Sequence, residues 1–351
     1  MAEMAMRAAI NSALVQEMTR DDRVILIGTD IAGGQMGSGG QEDAAGGVLG
    51  ITKGLLPRFG AARVIDTPIA EMGYMGVAVG AAATGLRPVA ELMFMDFIGC
   101  CGDMLLNQAA KIRYMFGGKS TCPLVMRTMI GAGANAAAQH SQSLYHWMTA
   151  VPGLKVVVPS NAYDAKGLLA TAIRDDDPVI FCEHKALYDL PSAKVEVPED
   201  DYTIPFGEAN YVTEGSDVTV VALGLMTHIA AGVAAAMAGK GISVEVIDPR
   251  TTSPLDEESI LESVESTGRL VVVDESAARC GFGHDVVALV ADKAFHSLKA
   301  PVKLVTPPHC PTPFSPPLEQ AWIPSGERVA RAILETLGLD RAAIDAALAA
   351  A

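Results

Sequence analysis

Cysteine pairing and histidine clustering are both missing from this chain. Its 6 cysteines, Cys100, Cys101, Cys122, Cys182, Cys280 and Cys310, include no CxxC pair and show no regular spacing, and its 7 histidines form neither HxH nor HExxH. The first absence leaves buried, reduced thiols as the expectation. The second removes sequence support for a His-based transition-metal site. Basic residues are scarce as well: 26 Lys and Arg stand against 41 Asp and Glu, a net charge of −15. Such a surface repels a phosphate backbone and an anionic bilayer, so no nucleic acid and no membrane partner is expected. The most membrane-like stretch free of Asp, Glu, Lys and Arg runs from Val218 to Gly239. It contains Thr, His and three glycines, and divides into a buried strand, a turn and an Ala-rich helix rather than a span. The start, Met1 to Asp30, reads as a polar helix and then the strand VILIG, with no basic start, apolar core and cleavage site of a secretory leader. A cytoplasmic protein is the expectation.

What is present is apolar mass and alternation. With 351 residues, 50% of them hydrophobic, the length favours two domains over one. Short β-branched runs (VILIG, RVID, PLVMR, LKVVVP, PVIFC) alternate with longer Ala- and Gly-rich helical patterns, which predicts an α/β domain over residues 1–189, with a parallel sheet covered by helices. The stretch 190–206, LPSAKVEVPEDDYTIPF, carries three prolines and a run of acids without a clear period, and reads as a linker. Alternation resumes with DVTVVAL, ISVEVID, RLVVVDE and PVKLVT, which predicts a second, smaller α/β domain over 207–338. Residues 339–351 read as a C-terminal tail, a frayed helix.

The string GAGANAAAQHSQ, Gly131 to Gln142, follows an apolar run and has the glycine spacing of a dinucleotide-binding turn. That fingerprint needs an acid about 20 residues on to hold the ribose hydroxyls. The first carboxylate after Gly133 is Asp164, too far away, so NAD and FAD are not expected here.

The neighbouring strings are more specific. IDTPIAEMGYMGVAVGAAATGLRPVAELMFMDF (Ile65 to Phe97), AAAQHSQ, PGLKVVVPSNAYDAKGLL and AIRDDDPVIFCEHKALY resemble the beta subunits of thiamin-diphosphate-dependent 2-oxoacid dehydrogenase complexes, and the resemblance runs from about Ala8 to Arg331. Within that family, AGGQMGSGGQEDAAGGVLGITKGL, LMFMDFIGCCGD and NQAAKIRYMFGGK are similar to acetoin dehydrogenase beta subunits. The resemblance implies a transketolase-like pyrimidine-binding domain followed by a transketolase C-terminal domain. It further implies thiamin diphosphate shared with an alpha subunit in a heterotetramer, and Mg²⁺ held by the alpha chain through a GDG motif. This sequence contains no GDG. A lipoyl acyltransferase core and a small-molecule substrate complete the implied partners.

Site residues follow from the same resemblance. Glu71, after Pro68 at the expected start of a helix, could simply be a carboxylate favoured by a helix N-terminus. The family instead implies that Glu71 hydrogen-bonds the aminopyrimidine ring nitrogen and assists proton transfer there. The glycines Gly73, Gly76 and Gly80 give that helix a small face open to close approach by another backbone. Met93 and Phe97 lie four residues apart and would pass as ordinary core by spacing; the family places them against the pyrimidine ring, where an aromatic face stacks. An isolated His in a small-residue loop is more often structural, yet the match AAAQHSQ implies that His140 handles protons during transfer to lipoamide. AIRDDDP reads as a solvated helix end, whereas relatives hold a structural K⁺ here, which would transfer to Leu124, Ala172, Ile173, Asp175 and Asp177, oxygen donors for a hard cation. Thr29 stands where many relatives have an acid, so it receives no cofactor role. Two further readings stay open: a pyruvate dehydrogenase beta subunit, and a non-catalytic assembly subunit.

Overall fold

The computed structural model describes residues 2–32 and 46–349. Residues 33–45, which belong to one of the strings similar to acetoin dehydrogenase beta subunits, lie outside the described residues. The chain forms two compact units, Met1–Ile130 with Trp147–Phe206, and Gly131–His146 with Gly207–Ala351.

In the first unit, β1 (Ala2–Met4) precedes β2 (Val24–Gly28), β3 (Val64–Asp66), β4 (Arg87–Phe94), β5 (Val125–Ile130), β6 (Lys155–Val157), β7 (Val179–His184) and β8 (Val195–Val197). A parallel sheet runs in the order β6-β7-β5-β4-β2-β3. β2, β5 and β7 are buried at every position, as strands covered by helices on both faces must be, which is why they read as continuous runs rather than alternations. The helices Met6–Arg20 and Ala162–Arg174 pack together, and the second starts at Asn161, whose side chain accepts from Asp164 N at 2.9 Å.

Two features escape a local reading. β4 is central, although Pro88 lies in it and a proline argues against a central strand. Its pairing with β5 shifts between Leu92 and Phe94. Met93 is therefore on a strand and Phe97 ends the 3-10 turn Met95–Phe97, so their four-residue spacing marks no helix face. Within 190–206, β8 pairs antiparallel with β1, Ala2 opposite Val197; its partner comes from the far end of the chain.

The second unit contains β9 (Asn210–Thr213), β10 (Val218–Ala222), β11 (Val244–Asp248), β12 (Thr251–Ser253), β13 (Leu270–Val273) and β14 (Lys303–Val305). A 5-stranded sheet has the order β14-β13-β10-β11-β9, parallel except for the edge strand β9. The apolar stretch from Val218 becomes β10 and the helix Leu225–Ala238, and no helix among the described residues is long and apolar enough to cross a membrane. The terminal helix Arg341–Ala349 is docked rather than frayed, because Ile344 (3% exposed) enters the core beside Ile333 and Leu334. The thiol expectation holds only in part: Cys101, Cys122 and Cys182 are buried, while Cys100, Cys280 and Cys310 are exposed.

Candidate active site

In the first unit the chain passes from β2 to β3 on one side and to β4 on the other, so strand order reverses between β2 and β4. Ligands of open parallel sheets bind outside the carboxyl ends of strands at such a reversal. The segments leaving these ends carry the expected residues. After β3, a short turn leads to Glu71, the first residue of the helix Glu71–Ala83; Met93 and Phe97 belong to the end of β4 and the turn beyond it. All three side chains are half-buried. Phe97 meets Phe94 edge-on, ring centroids 5.8 Å apart at 82°, which fixes the ring.

Glu71 is felt by its neighbours. Burial first, then the charge of Glu71, raises the Tyr74 phenol above its ordinary value. Burial, then Cys100 and then Glu71, pushes the Cys101 thiol up to about 12. Of the expected small face, Gly76 is the tightest within the chain, where an added Cβ would fall 3.2 Å from Met104 Sδ, whereas at Gly80 an added Cβ would meet nothing within 4 Å among the described residues. The buried Thr67 Oγ, on the turn before Glu71, has no hydrogen-bond partner among the described residues. A half-buried carboxylate, an aromatic face, a thioether and an unmet hydroxyl suit a planar ring with polar nitrogens, the pyrimidine half of thiamin diphosphate. No Lys or Arg lies in the strings IAEMGYMG and LMFMDFIGCC, so a diphosphate finds no cation there.

The five residues of the expected cation set surround the end of the helix Ala162–Arg174. Leu124 O accepts from Val179 N at 2.8 Å. Arg87 Nη1 donates to Ile173 O (3.0 Å) and Asp175 O (2.9 Å), and Lys155 Nζ donates to both carboxylate oxygens of Asp175 (2.8 and 2.6 Å). Asp177 pairs with Arg113 (2.9 Å) and Lys155 (3.3 Å). Much of the negative charge is already met by side-chain cations. No cluster of three or more His, Cys, Asp or Glu side chains among the described residues is placed to hold a metal.

Sequence reasoning missed a buried charge network across β4, β5 and β7. Arg127 holds Glu183 through two bonds (Nε–Oε1 2.6 Å, Nη2–Oε2 2.8 Å) and Glu91 through Nη1 at 2.9 Å, and Tyr188 Oη donates to Glu183 Oε2 at 2.6 Å. Burial raises Glu91 above the usual carboxylate range, an effect Arg127 opposes. The available signal was an arginine inside an otherwise apolar strand run, which occurs only when the charge is paired.

His140 belongs to the second unit, in an irregular segment before the short helix Tyr145–Thr149. Acids from that unit hold the segment: Glu275 Oε1 accepts from Ala132 N (2.6 Å), Glu319 Oε2 accepts from Asn135 N (3.0 Å), and Asp274 accepts from Tyr145 Oη. Asp274 is itself fixed by Ser276 N (2.8 Å), Ser276 Oγ (2.6 Å) and Gly283 N (2.8 Å). Asp274 and Glu275 follow β13 directly, at its carboxyl end. The segment borders a cleft of about 400 Å³ whose wall includes Gln142, Ser143, Pro308 and Trp322. The buried Ser143 Oγ has no hydrogen-bond partner among the described residues.

Comparison with known proteins agrees with this architecture. Residues 2–191 match the transketolase pyrimidine-binding domain and residues 207–329 the transketolase C-terminal domain. The acetoin:2,6-dichlorophenolindophenol oxidoreductase subunit beta of Cupriavidus necator is 57% identical over 335 residues, covering 95% of this chain and 98% of the relative. The protein of the same description from Bacillus subtilis is 55% identical, covering 95% and 97%. The pyruvate dehydrogenase E1 component subunit beta of Bacillus subtilis is 42% identical, covering 95% and 100%. A solved split-gene transketolase, described as an inactive beta4 tetramer, gives a TM-score of 0.75 at 23% identity over 97% of this chain and 100% of that one, a likeness of fold.

Proposed function

Because this chain belongs to the family of transketolase-like dehydrogenase beta subunits, we propose that it is the beta subunit of an acetoin dehydrogenase, active with an alpha subunit as a heterotetramer. The observation that carries the reading is identity of 57% and 55% over 95% of the chain to two acetoin-oxidoreductase beta subunits, against 42% for the pyruvate dehydrogenase relative. In the proposed reaction, the bond between acetoin's carbonyl and carbinol carbons breaks, acetaldehyde leaves, and the remaining two-carbon unit is oxidised onto lipoamide as the lipoyl disulfide is reduced. Thiamin diphosphate, when bound beside Glu71, Phe97 and Met93, would supply a nucleophilic carbon and an electron sink.

This chain's residues serve that chemistry in separate ways. Glu71 accepts and returns a proton at the pyrimidine ring nitrogen, a role open to a carboxylate partly withdrawn from water. Phe97 and Met93 give the ring its apolar wall. His140 exchanges protons with the acceptor during transfer, as imidazole can near neutral pH. The diphosphate and Mg²⁺ fall to the alpha chain, consistent with the missing GDG. A K⁺ at Leu124, Ala172, Ile173, Asp175 and Asp177 belongs to the same proposal, since a carbonyl that accepts one hydrogen bond keeps a second lone pair. A lipoyl acyltransferase core is the proposed destination of the product.

Substrate choice gives the test. Acetoin is neutral, whereas pyruvate brings a carboxylate, and the strings IAEMGYMG, LMFMDFIGCC and AAAQHSQ contain no Lys or Arg. Arg127 is buried and already committed to Glu183 and Glu91. An unpaired buried polar group costs about 1–3 kcal/mol, and about 1.4 kcal/mol is tenfold, so kcat/KM for acetoin should exceed that for pyruvate by about tenfold or more. Steady-state assays of the enzyme assembled with its alpha subunit check this. A higher value for pyruvate would move the chain to the pyruvate dehydrogenase reading.

A further inference from the structure

The segment that carries His140 adopts a backbone it would not choose unaided. Asn135 and Ala137 both lie in the left-handed region, φ 53° and 60°, and His140 N closes a turn on Ala137 O at 3.5 Å. Asparagine tolerates that region; alanine has no side-chain hydrogen bond to offset its steric cost there. Something outside the segment must therefore hold it. The contact at this point is Glu319, from the helix Pro316–Trp322, whose Oε2 accepts from Asn135 N at 3.0 Å across 184 residues of sequence.

Glu319 itself is a poor choice for stability alone. Its side chain is nearly sealed from solvent, 3% exposed, and its second oxygen, Oε1, has no hydrogen-bond partner among the described residues. Burying an acceptor without a donor is unfavourable. A group that gains one bond and leaves one oxygen unmet fits a site where geometry is held at some cost. We infer that Glu319 is a positioning residue for His140: through Asn135 N it fixes the left-handed turns at Asn135 and Ala137, and these set where the imidazole stands. This rests on the proposal that His140 serves transfer to lipoamide. Glu275, bound to Ala132 N, anchors the other end of the same segment.

The test uses the enzyme assembled with its alpha subunit and two electron acceptors, 2,6-dichlorophenolindophenol and lipoamide. Glu319→Met keeps bulk but removes the acceptor oxygen; Glu319→Gln keeps an oxygen for Asn135 N. Expected for Glu319→Met is a lipoamide-linked kcat lower by about tenfold or more, within the ~10²-fold that a displacement of about 1 Å can cost, with the dye-linked rate and KM for acetoin nearly unchanged. Glu319→Gln should restore most of the lost rate. A merely structural role would lower both acceptors together, and that outcome, or no loss at all, overturns the proposal. So does Glu319→Gln behaving like Glu319→Met. Glu319→Ala takes the place of the methionine variant should that one fail to assemble. His140→Ala, run in parallel, separates the two layers. Unimpaired lipoamide transfer in His140→Ala refutes the catalytic reading of His140. Impaired transfer there beside normal transfer in Glu319→Met refutes the positioning alone. If Glu319 acts through His140, the double variant is no slower than His140→Ala, since groups acting in one chain do not add.

Discussion

Glu71→Gln in the assembled enzyme should lower kcat by about 10²-fold or more while leaving the fold and the association with the alpha subunit intact, the loss typical of a removed acid/base group. The substitution keeps the length and planarity of the side chain, so its half-buried place at the start of the helix Glu71–Ala83 can still be filled. What it removes is the ability to release and recover a proton. The structure also limits compensation from nearby groups. The Tyr74 phenol and the Cys101 thiol, both influenced by Glu71, are held toward their protonated forms by burial, so neither replaces a carboxylate as base near neutral pH. Steady-state rates, circular dichroism and sedimentation of the reconstituted pair together give the answer. A rate essentially equal to the parent enzyme's would remove Glu71 from the mechanism and return it to a helix-terminus carboxylate.

The sequence made parts of this arrangement legible and hid others for physical reasons. β2, β10 and β13 announced themselves because a strand covered on both faces draws a mainly apolar run, and β5, β7 and β11 did so despite charged residues such as Arg127, Glu183 and Glu245, since most of each run is still apolar. β4 did not: it contains Pro88, Glu91 and a pairing shift, each a departure from the strand pattern, and the shift between Leu92 and Phe94 falls at the carboxyl end, where Met93 and Phe97 are presented. Local rules fail where a strand is also shaped for a site. β8 was unreadable for another reason, since among the described residues its ladder partner is β1, which begins at Ala2. The acids that hold the His140 segment stand more than a hundred residues downstream, so no window around AAAQHSQ contains them. Glu71, Met93, Phe97 and His140 entered as candidates through resemblance because their strings are short and specific. Their partners were not.

The largest expected loss of stability is for Arg127→Met. Arg127 and Glu183 are sealed from solvent, with side chains 2% and 1% exposed, and Glu91 is 14% exposed. One guanidinium therefore faces two carboxylates inside the sheet. Removing a partner from a buried ion pair costs about 3–5 kcal/mol, because the remaining charge has lost both water and its counter-ion. At about 2–4 °C per kcal/mol for a unit of this size, the thermal midpoint should fall by roughly 10 °C. The deficit should depend on pH in a defined direction. Burial already raises Glu91, and Arg127 is the main influence lowering it. A carboxyl whose folded-state value lies above its unfolded value favours the fold below the unfolded value, and that contribution is lost as pH rises through the folded one. Without Arg127 the folded value climbs further, so the deficit of Arg127→Met against the parent should be larger at pH 8 than at pH 5.5. Replacing the whole set, Arg127→Met with Glu91→Gln and Glu183→Gln, should recover much of the loss, since no buried charge is then left without a counter-ion. Tyr188 Oη would still find an oxygen on Gln at position 183. Thermal unfolding of the three proteins at both pH values decides the matter: a single variant as stable as the parent, or a deficit that grows toward acid, would show that the network does not hold β4, β5 and β7 by charge.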